Sequence, residues 1–505
     1  MSKVNLDAMI LREDFNATEG FTSTNRIKQI DISSLKFESM LPKLLRKPDF
    51  QRETRDWDIE QIVNFLHSII NRHFIPAIIL WQNASALTFV IDGAHRLSAL
   101  MAWINDDYGD GIISSQFYNN SISNEQKVTA QKTRKRIEKE IGSYKQYMDA
   151  ILAPSKYEEE FCKKAKSIMS FSFDIQWIEG DVSVAEKSFF NINQKAVPIN
   201  ATELAILESR TKSNCLATRA ITYSGNGYKY WKSFSEENQK EIEDLSKKIN
   251  ELLFLPSIKT PITTLDVAVA GKNQNNLAFY FELVNYSVGD KKCNDDSTGE
   301  ETIFVLKNLK KLLEILNSKE PCSLGLHPII YFYSKNGMFK PAIFYATFLF
   351  VKKIYNDNKL KLFTKNRERF ENFIYKYDYI IDQINRNARS SKKSAKMISE
   401  LYYIIIQKFD NNKSEAEILQ YILSEYPNIK TVDDSTTHPL FHSNLKNATY
   451  ISAALNNVLR CPICGGAIHT NSTSMDHINR KREGGSDCVT NTQITHPYCN
   501  TGYKN

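Results

Sequence analysis

The chain has no long apolar run. Its longest, AIFYATFLFV at 342–351, is about half of what a lipid bilayer requires. No basic stretch leads into an apolar one at the start, so MSKVNLDAMILREDF does not read as a secretory leader. These absences lead us to expect a soluble, cytoplasmic protein with no membrane partner. A P-loop is also missing, so any nucleotide must be held by a different phosphate cradle. Nor is charge strongly one-sided: 65 Lys and Arg against 58 Asp and Glu give +7 over 505 residues, which fits an anionic partner without demanding one.

At 505 residues and 42% hydrophobic content, the chain is too long for one core and predicts two to four globular units. Its eight cysteines are unevenly spread. Cys162, Cys215, Cys293 and Cys322 are scattered, whereas Cys461, Cys464, Cys488 and Cys499 fall in the last 45 residues. In a large intracellular chain such clustering favours metal ligation over disulfides. CPIC supplies Cys461 and Cys464 on one turn, and HPYC supplies His496 and Cys499 at the same gap. Together they form the four-ligand set of a closed structural Zn²⁺ site. Cys488 and His469 are spare ligands.

Between these halves lies SMDHINRKREGG, 474–485. A saturated zinc has no open position for chemistry, so the Asp476–His477 pair needs its own explanation. TSMDHI predicts a short strand and NRKREGGSD a loop with a glycine turn. From Thr490 a helix capped by Thr490 or Asn491 is expected to carry His496, Cys499 and Asn500. The order CPIC, DHI, GG, NTQ, HPYCN resembles the HNH endonucleases, the treble-clef or ββα-metal nucleases, with histidine replacing the first cysteine of the second pair. The resemblance covers about 45 residues. It implies that His477 is the general base activating water against a phosphodiester and that Asn491 orients it. It also implies that Asp476 and Asn500 hold a catalytic Mg²⁺ or Mn²⁺. Arg480, Lys481 and Arg482 stand where phosphates would pass, although a basic loop is most often merely solvated.

A second group of residues opens the chain. In PDFQRETRDWDIEQIVNFLHSIINRHFIPAIILW, apolar spacing and an Asp58–Gln61 capping box predict a helix of about three turns. AIILW and LTFVI then read as two buried strands, the second running into the helix of DGAHRLSALMAW. That places Asp92, Gly93, His95 and Arg96 at a strand-to-helix junction suited to phosphate. FQR with Trp57, DGAHR, and FFNINQKAVPINATEL at 189–204 occur in the order of the ParB/sulfiredoxin-like superfamily. The motifs are similar to its DGQQR branch in GmrSD-type and SspE-type restriction proteins, with Ala94 and His95 replacing the two glutamines. This resemblance implies NTP binding or hydrolysis by Asp92, Gly93, His95 and Arg96, with Gln51, Arg52 and Asn193 nearby. NDDYGDG at 105–111 reads as a solvated acidic loop rather than a Mg²⁺ site, and KTRKRIEKE at 132–140 as an exposed helix.

From Asn200, a helix cap with Glu203 three positions on, the pattern is helical to about 445. EIEDLSKKINELLFL, TIFVLKNLKKLLEIL and MISELYYIIIQKF have helical apolar spacing, and no repeat period emerges. NRNARSSKKSAK at 385–396 reads as a flexible linker, with a DNA-contacting loop as the other reading. The expected fold is thus α+β and multidomain: a ParB/sulfiredoxin-like nucleotide-binding domain at 1–200, a mostly helical spacer at 201–445, and a ββα-metal HNH zinc module at 446–505. The expected function is a nucleotide-regulated DNA endonuclease of restriction or antiviral defence, with plain or modified DNA as its target and another defence-system protein as a candidate partner. Its alternatives are a non-catalytic nucleotide-switched DNA clamp and a nuclease whose N-terminal domain docks a specificity partner.

Overall fold

AIILW and LTFVI form strands because their β-branched and aromatic side chains suit a pleated, buried surface. In the computed structural model they are antiparallel neighbours, joined by a turn in which the Asn83 carboxamide accepts from the Ser85 and Leu87 N–H groups. The structure describes residues 3–13, 15, 26–48, 51, 54, 57–83, 85–196, 202, 205–206, 209–258, 261–271, 276–289, 291–430 and 442–504. Arg52, the Asn200–Glu203 helix start and the Asn193 side chain lie outside them.

The chain divides into two compact units, 1–210 with 226–230 and 211–225 with 231–505. In the first, β1 (Leu11–Glu13), β2 (Gln29–Asp31), β3 (Leu45–Pro48), β4 (Ile78–Gln82), β5 (Thr88–Asp92) and β6 (Ser172–Trp177) form one sheet, ordered β1-β3-β5-β4-β6-β2. Pairing is parallel for β1–β3, β3–β5 and β4–β6, and antiparallel for β4–β5 and β2–β6. Phe15, Trp81, Phe89, Ile91 and Phe189 pack as a core over it. Helix Ile59–Ile70 carries the expected Asp58–Gln61 capping box and buries Ile62, Val63, Leu66 and Ile69.

Where β1 and β3 pair, Arg12 lies opposite Lys47, and both bind the buried Asp7 carboxylate. Burial alone would raise that carboxyl's pKa. The Arg12 and Lys47 charges overcome it and hold the group far below the usual range. The acidic stretch 105–111 departs from the expected solvated loop. Asp107 is buried and accepts from the N–H groups of Gly109, Gly111 and Ser114 and from the Ser114 hydroxyl, while Asp106 and Asp110 pair with Arg134. Its carboxylates are engaged in fixing the loop.

In the second unit, helices Glu236–Phe254, Glu300–Leu316 and Ser391–Asp410 follow the predicted periodicity, and Pro341–Asn356 packs along Ser391–Asp410. Residues 385–396 form no linker. Helix Asp378–Asn387 runs into helix Ser391–Asp410 through a three-residue corner, and the Ser394 hydroxyl binds the Asn385 carboxamide across it. The C-terminal stretch also departs from expectation. Thr492–Thr495 forms β8, antiparallel to β7 (Ser474–His477), and the helical stretch that includes Cys499–Tyr503 starts only after His496, at Pro497. The Thr and Ile side chains of TQIT favour a paired strand, and proline suits a helix start. Among the described residues, no helix is long and apolar enough to cross a membrane.

Candidate metal centre and adjoining pocket

Cys461, Cys464, His496 and Cys499 converge as the sequence predicted. All four are buried, and their ligand atoms lie within 4.8 Å of one another. The spares do not join them: Cys488 is exposed, and His469 is buried beside Asn317. The His496 Nε2–H donates to the Ala467 carbonyl at 3.1 Å, because a carbonyl can only accept. Nδ1 therefore keeps its lone pair, 3.3 Å from the Cys464 sulfur. Burial, then the Arg367 charge, lowers the imidazole's pKa and favours the neutral, ligating form.

The sulfurs crowd one another. Hydrogen bonds from Cys464 and Cys499 lower the Cys461 thiol's pKa, while hydrogen bonding to Cys461 pushes Cys464 up to about 11 and raises Cys499. A divalent cation removes that conflict by letting all three ionise, so the donor set fits a structural metal such as zinc.

Three thiolates around a divalent ion leave one net negative charge, and Arg367 is placed to meet it. This buried arginine of helix Leu360–Lys376 pairs with Glu371 at 2.7 Å, donates to the Leu324 and Gly325 carbonyls, and approaches His496 Nδ1 to 3.2 Å. Glu371 in turn accepts from the Ala467 N–H at 3.0 Å and from the Tyr331 hydroxyl at 3.0 Å. Gly325 has φ +62, and a Cβ there would stand 2.5 Å from the His496 ring. The candidate metal cluster is thus built into the helical unit.

Beside it opens a pocket of about 290 Å³, lined by Met475, Asp476, His477, Arg480, Lys481, Arg482, Asn500 and Lys504. In β7, Asp476 is opposite Gln493 and His477 opposite Thr492. Alternation would turn these neighbours to opposite faces, but β7 ends at His477 and both side chains line the pocket. The Asp476 carboxylate accepts from Gln493 at 2.8 Å and from the Lys504 ammonium at 2.9 and 3.0 Å. Lys504 also reaches the His477 carbonyl. Asn500 donates to the Ser474 hydroxyl at 3.0 Å and to the Met475 carbonyl at 3.1 Å, tying the last helical turn to β7.

His477 Nε2 lies 2.7 Å from the Asp487 carboxylate. A carboxylate can only accept, so Nε2 carries the proton and Nδ1 the lone pair. Hydrogen bonds from Lys481, then His477, hold the Asp487 carboxyl below its ordinary pKa and keep it ionised. The described partner that orients the imidazole is therefore Asp487, where the sequence pointed to Asn491. Asn491 instead clamps the loop: it accepts from the Asn479 N–H and donates to the Asn479 and Ser486 carbonyls. The two glycines of the motif serve that clamp. Gly484 has φ +87, and a Cβ on Gly485 would stand 1.9 Å from the Asn479 carbonyl oxygen.

In the first unit, β3 and β5 are parallel neighbours, so Gln51 and Asp92 emerge at the same end of the sheet, where α/β folds place ligands. Gln51 is buried, and its side-chain oxygen has no hydrogen-bond partner among the described residues. His95 stacks on Trp57 with ring centroids 5.9 Å apart. Gly93 has φ +95, and a Cβ there would strike Ile78. Arg96 does not stand free for phosphate as expected. It pairs with Asp92 at 2.8 Å and donates to the Pro76 and Ala77 carbonyls, because the i,i+4 spacing brings it back over the strand end.

Sequence reasoning missed Asp487, Lys504, Gln493 and Arg367. Asp487 and Gln493 lie within the C-terminal motif and Lys504 just beyond it, so all three were open to recognition as charged or polar groups. Arg367 had no local signal. No curated protein and no solved structure matches the chain. Residues 32–208, within the first unit, match the family model described as GmrSD restriction endonuclease, N-terminal domain.

Proposed function

We propose that this chain is a restriction-type DNA endonuclease of antiviral defence, with an HNH centre at His477 and a nucleotide site at the β3 and β5 strand ends. The observation that carries this reading is the pocket itself. An ionised Asp487 fixes the His477 imidazole with a free Nδ1, and Asp476, Asn500 and four cationic side chains surround it. The restriction family matched by residues 32–208 supports DNA as the substrate.

In this mechanism His477 Nδ1 takes a proton from water, and the Asp487 carboxylate stabilises the resulting imidazolium. Arg480, Lys481 and Arg482 hold the flanking phosphates. Asp476 and Asn500 would hold a Mg²⁺ or Mn²⁺ ion, which when bound supplies charge neutralisation at the scissile phosphate. The Cys461, Cys464, His496 and Cys499 cluster would hold a structural Zn²⁺ that keeps the scaffold rigid. At the other site, the N–H groups opening helix Ala94–Ile104 receive the NTP phosphates. Gln51, Asp92, Gly93 and His95 line that site, and Arg52, Asn193 and Arg96 complete the set carried by the resemblance.

One observation favours a second reading, a nucleotide-switched DNA clamp that does not cut: both Asp476 oxygens are already engaged by Lys504 and Gln493. Supercoiled plasmid, modified and unmodified, incubated with Mg²⁺ or Mn²⁺ and each NTP decides between them. The nuclease reading expects nicking or linearisation that falls by at least about 100-fold in His477→Ala, within the range general-base loss produces. Equal cutting by His477→Ala overturns the mechanism, and tight binding without scission establishes the clamp.

A further inference from the structure

We propose that the corner between helices Asp378–Asn387 and Ser391–Asp410 is a second contact for the DNA backbone, remote from the His477 pocket. The proposal rests on the nuclease reading and assigns that reading's substrate a further binding surface. Arg386 closes the first helix, Arg389 lies at the corner, and Lys392, Lys393 and Lys396 fall in the opening turns of the second. All five are exposed, and none has a side-chain hydrogen bond or ion pair among the described residues.

On these helices and their neighbours, five acids have basic partners of their own. Asp378 pairs with Lys335, Asp382 with Lys340, Glu400 with Lys353, Lys365 with Asp410 and Lys376 with Glu415. Those carboxylates are taken, and among the described residues the corner keeps its positive charge.

Its placement also runs against helix stability. The start of a helix is its positive end, where acids help and cations hurt, yet the first turn of Ser391–Asp410 has no acid and its first six residues hold three lysines. A polyanion lying there reverses the penalty, meeting the lysines and the unsatisfied N–H groups together.

A duplex fits better than the other anions. Its charges follow one another at about 1.7 Å along the axis, matching an exposed row of cations rather than a convergent pocket. A lipid surface would also ask for apolar anchors, and no large apolar side chain is exposed between 378 and 410. Lys392 lies roughly 27 Å along the helix from Asp410. Asp410 pairs with Lys365, two residues before the Arg367 that abuts His496. That span corresponds to about eight base pairs at ~3.4 Å each, within reach of one bound duplex.

The test uses the full chain in a His477→Ala background, without divalent ions, and a duplex of about 30 base pairs over a salt series. Changing Arg386, Arg389, Lys392, Lys393 and Lys396 all to Gln is expected to make log K against log salt shallower by about 0.9 for each phosphate no longer neutralised, roughly 2–4 in total. Affinity at low salt should fall at least tenfold. Lys392→Gln with Lys393→Gln alone should move the slope the same way by about 1–2, and this pair decides should the fivefold variant fold poorly. An unchanged slope in the pair overturns the proposal, including where anionic vesicles show the weakened binding instead. A wild-type chain that cuts plasmid with Mg²⁺ or Mn²⁺, while the corner variants keep their slope, overturns the corner alone. A wild-type chain that does not cut plasmid, with a His477→Ala parent that does not bind the duplex, overturns the nuclease reading as well.

Discussion

At the scale of single residues, Lys504 bears most directly on the proposed catalytic centre. Its ammonium is held by both Asp476 oxygens and the His477 carbonyl, the oxygen donors a hard cation would use. A divalent ion has to displace it, and the natural destination of the displaced ammonium is a DNA phosphate. Metal and DNA should therefore bind with positive coupling. Lys504→Met in the His477→Ala background should tighten Mn²⁺ binding to the DNA-free protein by about tenfold, a typical coupling magnitude, and abolish the further gain that duplex gives the parent. Electron paramagnetic resonance of free Mn²⁺ reads this without any turnover. Identical titrations for parent and variant would exclude a competing ammonium. The same scale shows what the sequence hid. Cysteine and histidine spacing disclosed all four members of the candidate metal cluster, because two-residue gaps on tight turns bring such side chains together locally. Arg367 is 129 residues from His496 and became visible only once helix packing brought them into contact.

Among the elements, the loop joining β7 to β8 shows how a short motif is specified by backbone chemistry. Asn491 clamps Asn479 and Ser486, Gly484 supplies the left-handed turn, and Gly485 leaves room for the Asn479 carbonyl. Gly485→Ala forces that carbonyl away and shifts Asp487, two residues on, from His477. Cleavage should fall by about 10–100-fold, the range a misplaced catalytic group produces, while the melting temperature moves by less than about 3 °C. A variant with full activity would show that the loop does not set the His477–Asp487 geometry. Helices with wide apolar stripes were legible from their periodicity. The misreadings came where local signals were weak or mixed. Thr490 and Asn491 imitate a helix cap, yet the pairing of Thr492–Thr495 with β7 prevails. NRNARSSKKSAK has almost no apolar content, so its helical start depends on Ser394 and Ala395 being buried by neighbouring helices.

At the scale of the whole molecule, the sequence reading set a helical stretch at 201–445 beside a zinc module at 446–505, and residues 211–225 and 231–505 form one compact unit. The Arg367–Glu371 pair is one of the contacts that join its helices to the C-terminal cluster. Its two charges are both nearly inaccessible, and it bonds at once to the Leu324 and Gly325 carbonyls, the Ala467 N–H and the His496 ring. Removing one member of such a buried pair typically destabilises by about 3–5 kcal/mol, since the other charge is left without its counterion. A metal in the Cys461, Cys464, His496 and Cys499 cluster would add the charge that Arg367 meets, so chelation acts on the same network. Amide hydrogen exchange read before and after chelation should therefore lose protection along helix Leu360–Lys376 and the end of helix Glu300–Leu316, as well as in 461–504. Arg367→Met should reproduce much of that pattern with the metal in place. Deprotection confined to 461–504 would instead mean that the metal organises only its own turns and that the helices stand without it.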